Sequence, residues 1–173
     1  MSTADIETPR LRLSPLCLDD LDDLIELYAD PEVMRGSSGI ARARTREEST
    51  EWLSQALAGG HKPWHRIFRV ESRIDRSFVG RIGLRPDESG LDAEIAYAFA
   101  RAAWGRGLAT EAAAAVLDWA TGAGMRRLAG CVLVENTGSQ RVLEKIGMKK
   151  TGERSTTDGD LVLYELHKSD QTS

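Results

Sequence analysis

The sequence predicts a single α/β domain on a mixed, mostly antiparallel sheet of six to seven strands, flanked by about four helices. Three patterns carry this expectation. Short alternating runs bounded by turn residues recur, three of them in succession over residues 66–71, 78–84 and 92–100. Stretches with apolar residues at helical spacing lie before and after that trio. Residues 128–134 form a nearly continuous apolar run, which suits a strand buried on both faces.

Taken in order, Arg10-Leu11-Arg12-Leu13-Ser14 alternates between Pro9 and Pro15 and reads as a short first strand. Asp19 stands as the N-cap of a helix whose Leu21, Leu24, Ile25 and Tyr28 share one face. Asp30-Pro31 ends it, because the residue before proline is pushed out of the α region. Residues 33–44 read as an irregular loop containing glycine and serine. Thr45-Arg46-Glu47-Glu48 has the capping-box pattern, Trp52, Leu53, Ala56 and Leu57 give the following helix an apolar face, and Gly59-Gly60 closes it. The three alternating runs come next, separated by turn chemistry at residues 72–77 and 85–90, so an antiparallel meander is the simplest arrangement. A helix from about Thr110 carries Ala113, Val116, Leu117 and Ala120 on one face and ends at Gly122 and Gly124. Beyond the apolar run, Asn136 or Thr137 opens another helix through Val142, Leu143 and Ile146, with Gly147 as its C′ residue. Two strands near residues 149–154 and 161–166 are joined by an Asp158-Gly159 turn. One domain therefore spans residues 1–173, with its core at about 8–167 and a polar tail, 168–173, expected to fray.

At 173 residues, 41% hydrophobic and 29% charged, the composition is that of a soluble globular protein with room for a core. A net charge of −4 without a basic run argues against nucleic acid as the main partner, and leaves a basic peptide or small amine open as substrate. Cys17 and Cys131 stand far apart and in no metal-ligand spacing, so the expectation is no disulfide framework, no metal and a reducing cytoplasm. Neither a signal-peptide pattern nor a run of membrane-spanning length occurs, and no membrane partner is expected. Monomer and homodimer both stay open.

The most informative stretch is Trp104-Gly105-Arg106-Gly107-Leu108-Ala109-Thr110-Glu111-Ala112, between an alternating run and an Ala-rich helix. Two glycines let the backbone turn sharply and approach a ligand closely, and the helix start leaves N–H groups without intrahelical partners. Strand, glycine turn and helix N-terminus together make an anion cradle, with phosphate its usual occupant. The third glycine of a dinucleotide fingerprint is missing, the preceding elements are not a βαβ unit, and the Gly-Lys-Ser/Thr of a P-loop is absent.

Four segments in order resemble the GCN5-related N-acetyltransferase superfamily, within it the branch of ribosomal-protein-alanine N-acetyltransferases. They are Thr8-Pro9-Arg10-Leu11-Arg12-Leu13, Tyr28-Ala29-Asp30-Pro31-Glu32-Val33-Met34, the loop from Trp104 to Ala112, and Glu135-Asn136-Thr137-Gly138-Ser139-Gln140-Arg141-Val142-Leu143-Glu144-Lys145-Ile146-Gly147-Met148. One departure is Trp104, where the superfamily commonly has Gln or Arg; it reads as a mark of the branch.

The resemblance implies that fold, acetyl-CoA as co-substrate, and an amine acceptor, either a protein N-terminus or a small molecule. It implies that Phe99, Ala100, Trp104, Gly105, Arg106, Gly107, Leu108, Ala109, Thr110 and Asn136 bind the cofactor, the pyrophosphate resting on backbone N–H groups with the Arg106 side chain as a further candidate. Glu94 is the candidate base, because an alkylammonium with a pKa of about 10 must lose a proton before it attacks. Period-2 alternation puts Glu94 on one face with Ala96 and Ala98, where small neighbours leave room for a ligand. By resemblance, backbone N–H groups of residues 97–100 receive the oxyanion and Ser139 protonates the leaving thiolate; a plain first-turn hydroxyl is the alternative reading of Ser139, and an N-cap that of Asn136. Arg35 and the segment His61-Lys62-Pro63-Trp64-His65 are candidates for lining the acceptor side, while Cys131, Tyr164 and the Asp19-Asp20/Asp22-Asp23 cluster read as packing and solvated surface. A catalytically silent acyl-CoA-binding module is the rival function. A toxin acetylating aminoacyl-tRNA is disfavoured by the missing basic stripe.

Overall fold

The computed structural model describes residues 5–38, 42–61, 64–86 and 92–168. Eight strands and five α-helices follow one another as β1 (Ile6–Glu7), β2 (Leu11–Pro15), α1 (Leu21–Tyr28), α2 (Pro31–Ser38), α3 (Arg46–Ala58), β3 (Arg66–Ser72), β4 (Phe78–Arg85), β5 (Ala93–Phe99), α4 (Leu108–Gly122), β6 (Arg127–Leu133), α5 (Thr137–Lys145), β7 (Lys149–Thr156) and β8 (Gly159–His167). The strands form one sheet in the order β1-β2-β3-β4-β5-β6-β8-β7. Every neighbouring pair is antiparallel except β5 and β6. That parallel pair needs a crossover, which the Trp104 loop and α4 supply.

Each face of the sheet buries its own apolar set. On one side Ala112, Ala113, Val116, Leu117 and Ala120 of α4 pack with Leu13, Phe68, Ile82, Ile95 and Leu128. On the other, Leu24, Leu27 and Tyr28 of α1, Val33 and Met34 of α2 and Leu53 of α3 pack around Ala98. Strand β5 serves both sides by alternation: Ile95 and Phe99 join the first set, Ala98 the second.

Several expectations hold residue by residue. Thr45 and Glu48 form the reciprocal capping box of α3, and Gly147 takes the left-handed conformation after α5 (φ 93°). Others are corrected. There is an eighth strand, β1, paired to β2 across the Thr8–Leu11 turn. A fifth helix, α2, occupies much of the stretch that reads as irregular: Gly36, Ser37 and Ser38 are poor helix formers, but burial of Val33 and Met34 outweighs that preference. The N-cap of α1 is Asp20 rather than Asp19, because a 3-10 turn, Leu18–Asp20, precedes the helix. Gly59 does close α3, as expected, but without a left-handed turn (φ −72°); a side chain there would meet the His65 ring 2.3 Å away. The final hairpin turns on Thr157 and Asp158, one position earlier than expected, with Thr156 paired to Gly159. Lys168 is tied down, its N–H reaching the Arg126 carbonyl at 2.8 Å; the rest of the expected tail lies outside the described residues, as do Lys62, Pro63 and most of the turn at 85–90. No helix among the described residues is long and apolar enough to cross a membrane.

Candidate active site

Strands β5 and β6 are seven residues each, yet they pair only at Ala93–Leu128 and Glu94–Ala129. Beyond Glu94 they part, so the upper half of β5 has no strand partner on its β6 side. Two cavities open at this split. The first, about 460 Å³, is lined by Tyr97, Ala98, Phe99, Trp104, Gly105, Asn136 and Ser139, with Arg35 and Gly36 of α2 across from them. The second, about 630 Å³, lies toward α3 and the β7–β8 turn and contains Glu94, Ala96, Arg44, Arg81 and His65. Tyr97 and Ser139 belong to both.

At the mouth of the first cavity the Trp104 loop is built from backbone. Gly105 (φ 70°) and Gly107 (φ 75°) are left-handed, and Gly107 is the N-cap of α4. Trp104 follows a short 3-10 turn, Arg101–Ala103, and its indole donates to the Phe99 carbonyl at 2.8 Å, tying the loop to β5. Leu108 is 4% exposed, so it and Phe99 (5%) offer a ligand backbone rather than side chain. Among the described residues no hydrogen bond or ion pair holds the Arg106 guanidinium, and the Arg106 carbonyl accepts from Arg10 at 2.9 Å.

That contact belongs to a clamp that sequence reasoning missed. The Glu111 carboxylate accepts from Thr8 Oγ1 (2.6 Å), Arg10 N–H (2.9 Å) and Arg10 Nε (2.6 Å), locking the first turn of α4 to the β1–β2 junction. Burial pushes the Glu111 carboxyl up, but these bonds and the Arg10 charge outweigh it and hold the group below its ordinary value. Both partners stand in recognisable segments, about 100 positions apart, and nothing in either segment names the other.

The second wall of this cavity is the start of α5. Asn136 Oδ1 accepts from Ser139 N–H at 3.0 Å, a true N-cap, while its Nδ2 donates to the Gly36 carbonyl at 3.1 Å. Arg35 reaches Glu135 at 2.8 Å, so it lines the first cavity rather than facing the second. The Ser139 hydroxyl lies beside the Tyr97 phenol. Tyr97 donates to the Ser139 carbonyl at 3.3 Å, and burial pushes its phenol up to about 12, outweighing the downward pull of the Ser139 side chain. Tyr97 therefore stays a neutral donor throughout the physiological range.

Glu94 sits at the last paired position of β5, at the foot of the split. Its Oε1 accepts from Arg85 at 2.9 Å, its Oε2 is uncommitted among the described residues, and its side chain is 16% exposed. The shared face with Ala96 and Ala98 is as the alternation predicts, and it floors the second cavity. His65 lines that cavity too, but its Nε2 is engaged with the Ala56 carbonyl at 2.8 Å. Cys131 is half-buried beside it rather than a core residue. Tyr164 is packing, 2% exposed and bonded to Glu144. The aspartate cluster is not merely solvated: Asp20 and Asp23 pair with Arg69, and Asp22 with Arg46. Among the described residues no group of three or more His, Cys, Asp or Glu is placed to hold a metal ion.

The family model described as "Acetyltransferase (GNAT) domain" matches residues 10–149. The chain belongs to the GNAT acetyltransferase family. This acyltransferase is 34% identical over 167 residues to the uncharacterized protein YkkB of Bacillus subtilis, covering 91% of this chain and 92% of that one. A GNAT-family acetyltransferase from Bacillus anthracis superposes with a TM-score of 0.80 at 24% identity, covering 95% of this chain and 98% of that one. RimL, a ribosomal L7/L12 α-N-protein acetyltransferase solved with coenzyme A, superposes with a TM-score of 0.81 at 15% identity, covering 95% and 98%. The GNAT chain thus shares its fold with enzymes of the ribosomal-protein branch, and acetyl-CoA-dependent acetylation is its chemistry.

Proposed function

We propose that this acetyltransferase moves the acetyl group to a primary amine by direct attack on the thioester, with acetyl-CoA in the first cavity and the acceptor in the second. The observation that carries the reading is the split of β5 from β6, which leaves unpaired backbone in a cleft shared by both cavities. Pantetheine amides pair with that backbone as a missing strand would. The left-handed Gly105 and Gly107 and the free N–H groups of Leu108, Ala109 and Thr110 receive the pyrophosphate. Arg106 has a free guanidinium at the rim to reinforce it, and Asn136 holds the wall against which the arm lies.

Glu94 takes the proton from the acceptor ammonium, directly or through a water, and the neutral nitrogen attacks the carbonyl carbon. The carbonyl oxygen gains charge and is met by backbone N–H groups of residues 97–100. As the tetrahedral intermediate collapses, the C–S bond breaks and the N-acetyl product forms. The leaving sulfur needs only modest help, since an ordinary thiol has a pKa of about 8.5. The Ser139 hydroxyl supplies a hydrogen bond there, and Tyr97 positions Ser139 through its carbonyl.

Thiol release from acetyl-CoA, followed over a panel of peptides and small amines, tests this. Turnover with at least one primary amine and none without acceptor is the expected result. Binding of acetyl-CoA with no acetylated product across the panel would overturn it.

A further inference from the structure

The second cavity holds positive charge that no carboxylate among the described residues neutralises. Tyr28 and Trp52 meet edge to face, ring centres 5.6 Å apart, and two guanidiniums lie against that pair. Arg44 Cζ is 4.3 Å from the Tyr28 ring centre, and Arg81 Cζ is 4.9 Å from that of Trp52. Arg81 is 8% exposed, and its sole side-chain hydrogen bond among the described residues runs from Nε to the Tyr28 hydroxyl at 2.8 Å. Arg44 Nη1 is buried without any acceptor. Neither arginine pairs with a carboxylate of the described residues.

Counter-charges are close but spent. Glu48, in the next turn of chain after Arg44, is gripped by both terminal nitrogens of Arg42 and by the Thr45 N–H. Glu94 is held by Arg85, and Asp158, also at this cavity, makes no ion pair with either guanidinium. Arg69, on the neighbouring strand, differs in charge pairing: its Nε also lacks an acceptor among the described residues, but Asp20, Asp23 and Glu71 surround its terminal nitrogens. Burial of Arg44, reinforced by the like charge of Arg81, pulls its guanidinium below the ordinary range despite Tyr28 and Glu48. A buried charge is tolerated when a partner satisfies it, and planar guanidinium forks match carboxylate and phosphate oxygens.

The pair also stands in register with the chemistry. Along the same face Arg81 opposes Ala98, Gly83 opposes Ala96, and Arg85 opposes Glu94. A floor of glycine and alanine thus separates the Arg81 end from the Glu94 end by about 13 Å, four strand residues. We propose that Arg44 and Arg81 form an anion subsite for the acceptor, so that the amine this enzyme acetylates carries a carboxylate or phosphate at its other end. The assignment rests on the acetyltransferase reading of the same cleft. Polyamines are poor acceptors on this account, because their second cation meets two arginines.

Matched amines test it: 1,4-diaminobutane against 4-aminobutyrate, 1,8-diaminooctane against 8-aminooctanoate, and ethanolamine against O-phosphoethanolamine. The anionic member of at least one pair should have the higher kcat/KM, by ~30-fold or more, and the carboxylate and phosphate arms separate the two oxyanions. Arg81→Gln and, at a less buried position, Arg44→Gln should collapse that ratio toward one, mainly through KM. Arg44→Lys, which keeps charge without the fork, should restore part of it. Equal turnover of neutral and anionic members, or a ratio untouched by both glutamine variants, would overturn the subsite while leaving the acetyltransferase intact. Calorimetric titration of the CoA-loaded protein with 4-aminobutyrate and O-phosphoethanolamine reads the subsite without turnover. Binding that Arg44→Gln abolishes supports it even if no amine is acetylated, and no binding of either probe refutes it.

Discussion

The first cavity is walled by backbone, by apolar or capped side chains and by the Arg35–Glu135 ion pair at its rim, whereas the second sets Glu94, Arg44 and Arg81 among apolar side chains. In the first, Phe99 and Leu108 turn inward to the core, Trp104 spends its indole N–H on Phe99, and Asn136 spends its amide on Ser139 and Gly36. What remains for a ligand is main chain: the split edge of β5 and the start of α4. The second presents Glu94, Arg44 and Arg81. A backbone site binds what all members of a fold share, while a side-chain site can change its ligand without changing the fold.

The sharpest way to break this contrast is at Glu94. If the acceptor side depends on a single ionisable group, Glu94→Gln should lower kcat by ~10²–10⁴-fold at neutral pH. The deficit should shrink as the pH nears the amine's own pKa of about 10, where free amine is abundant without a base. A near-normal kcat that does not vary with pH relative to wild type would remove Glu94 from the mechanism.

On the cofactor side, Gly107→Glu should abolish measurable coenzyme A binding by calorimetry, because it sets a carboxylate at an anion site. Gly107→Ala separates charge from strain: a Cβ there meets nothing closer than Arg10 at 3.6 Å, so only the left-handed conformation is penalised, by about 1–2 kcal/mol. Alanine should therefore keep binding, weakened about 30-fold at most. Unchanged affinity in Gly107→Glu would dissociate the loop from the pyrophosphate.

Glu111→Gln tests whether the loop needs its clamp. It should raise KM for acetyl-CoA by several-fold and leave kcat nearly alone. Its effect on stability has a defined sign. The folded Glu111 carboxyl is held below its ordinary value, so the clamp stabilises the protein at neutral pH and is lost as the pH falls through the folded value, below 4.5. Wild type should lose more melting temperature on acidification than Glu111→Gln; parallel curves would deny the clamp its ionic character. The smallest effect is expected from Tyr97→Phe, which removes one 3.3 Å bond to the Ser139 carbonyl. A decrease in kcat of only a few-fold, with no new basic limb below pH 10, fits a neutral positioning phenol. A loss as large as that of Glu94→Gln would make Tyr97 a catalytic residue instead.

Much of the cofactor half was legible because it depends on local rules. Left-handed glycines, an N-cap asparagine three residues before Ser139 and an alternating strand are written in neighbouring positions, and each appears where the chain predicts it. Helix α2 was not legible: its second half is Gly36-Ser37-Ser38, and only the contact of Val33 and Met34 with the core under Ala98 makes it helical. Arg35 was misplaced for the same reason, since a helix directs it to Glu135. The pairing of Arg10 with Glu111 joins positions 101 apart, beyond the reach of any periodicity.

From the sequence alone came the class of fold, the glycine loop proposed to hold phosphate and the carboxylate of β5, all set by residue type and spacing within single elements. Tertiary structure decided where β5 and β6 part, which side chains are already spent on partners, and which are left with charge to offer. Those properties belong to pairs of distant residues. Arg44 and Arg81 illustrate it: as letters they are two ordinary arginines, and only their shared aromatic shelf, with no carboxylate of the described residues paired to either, marks them as the proposed subsite.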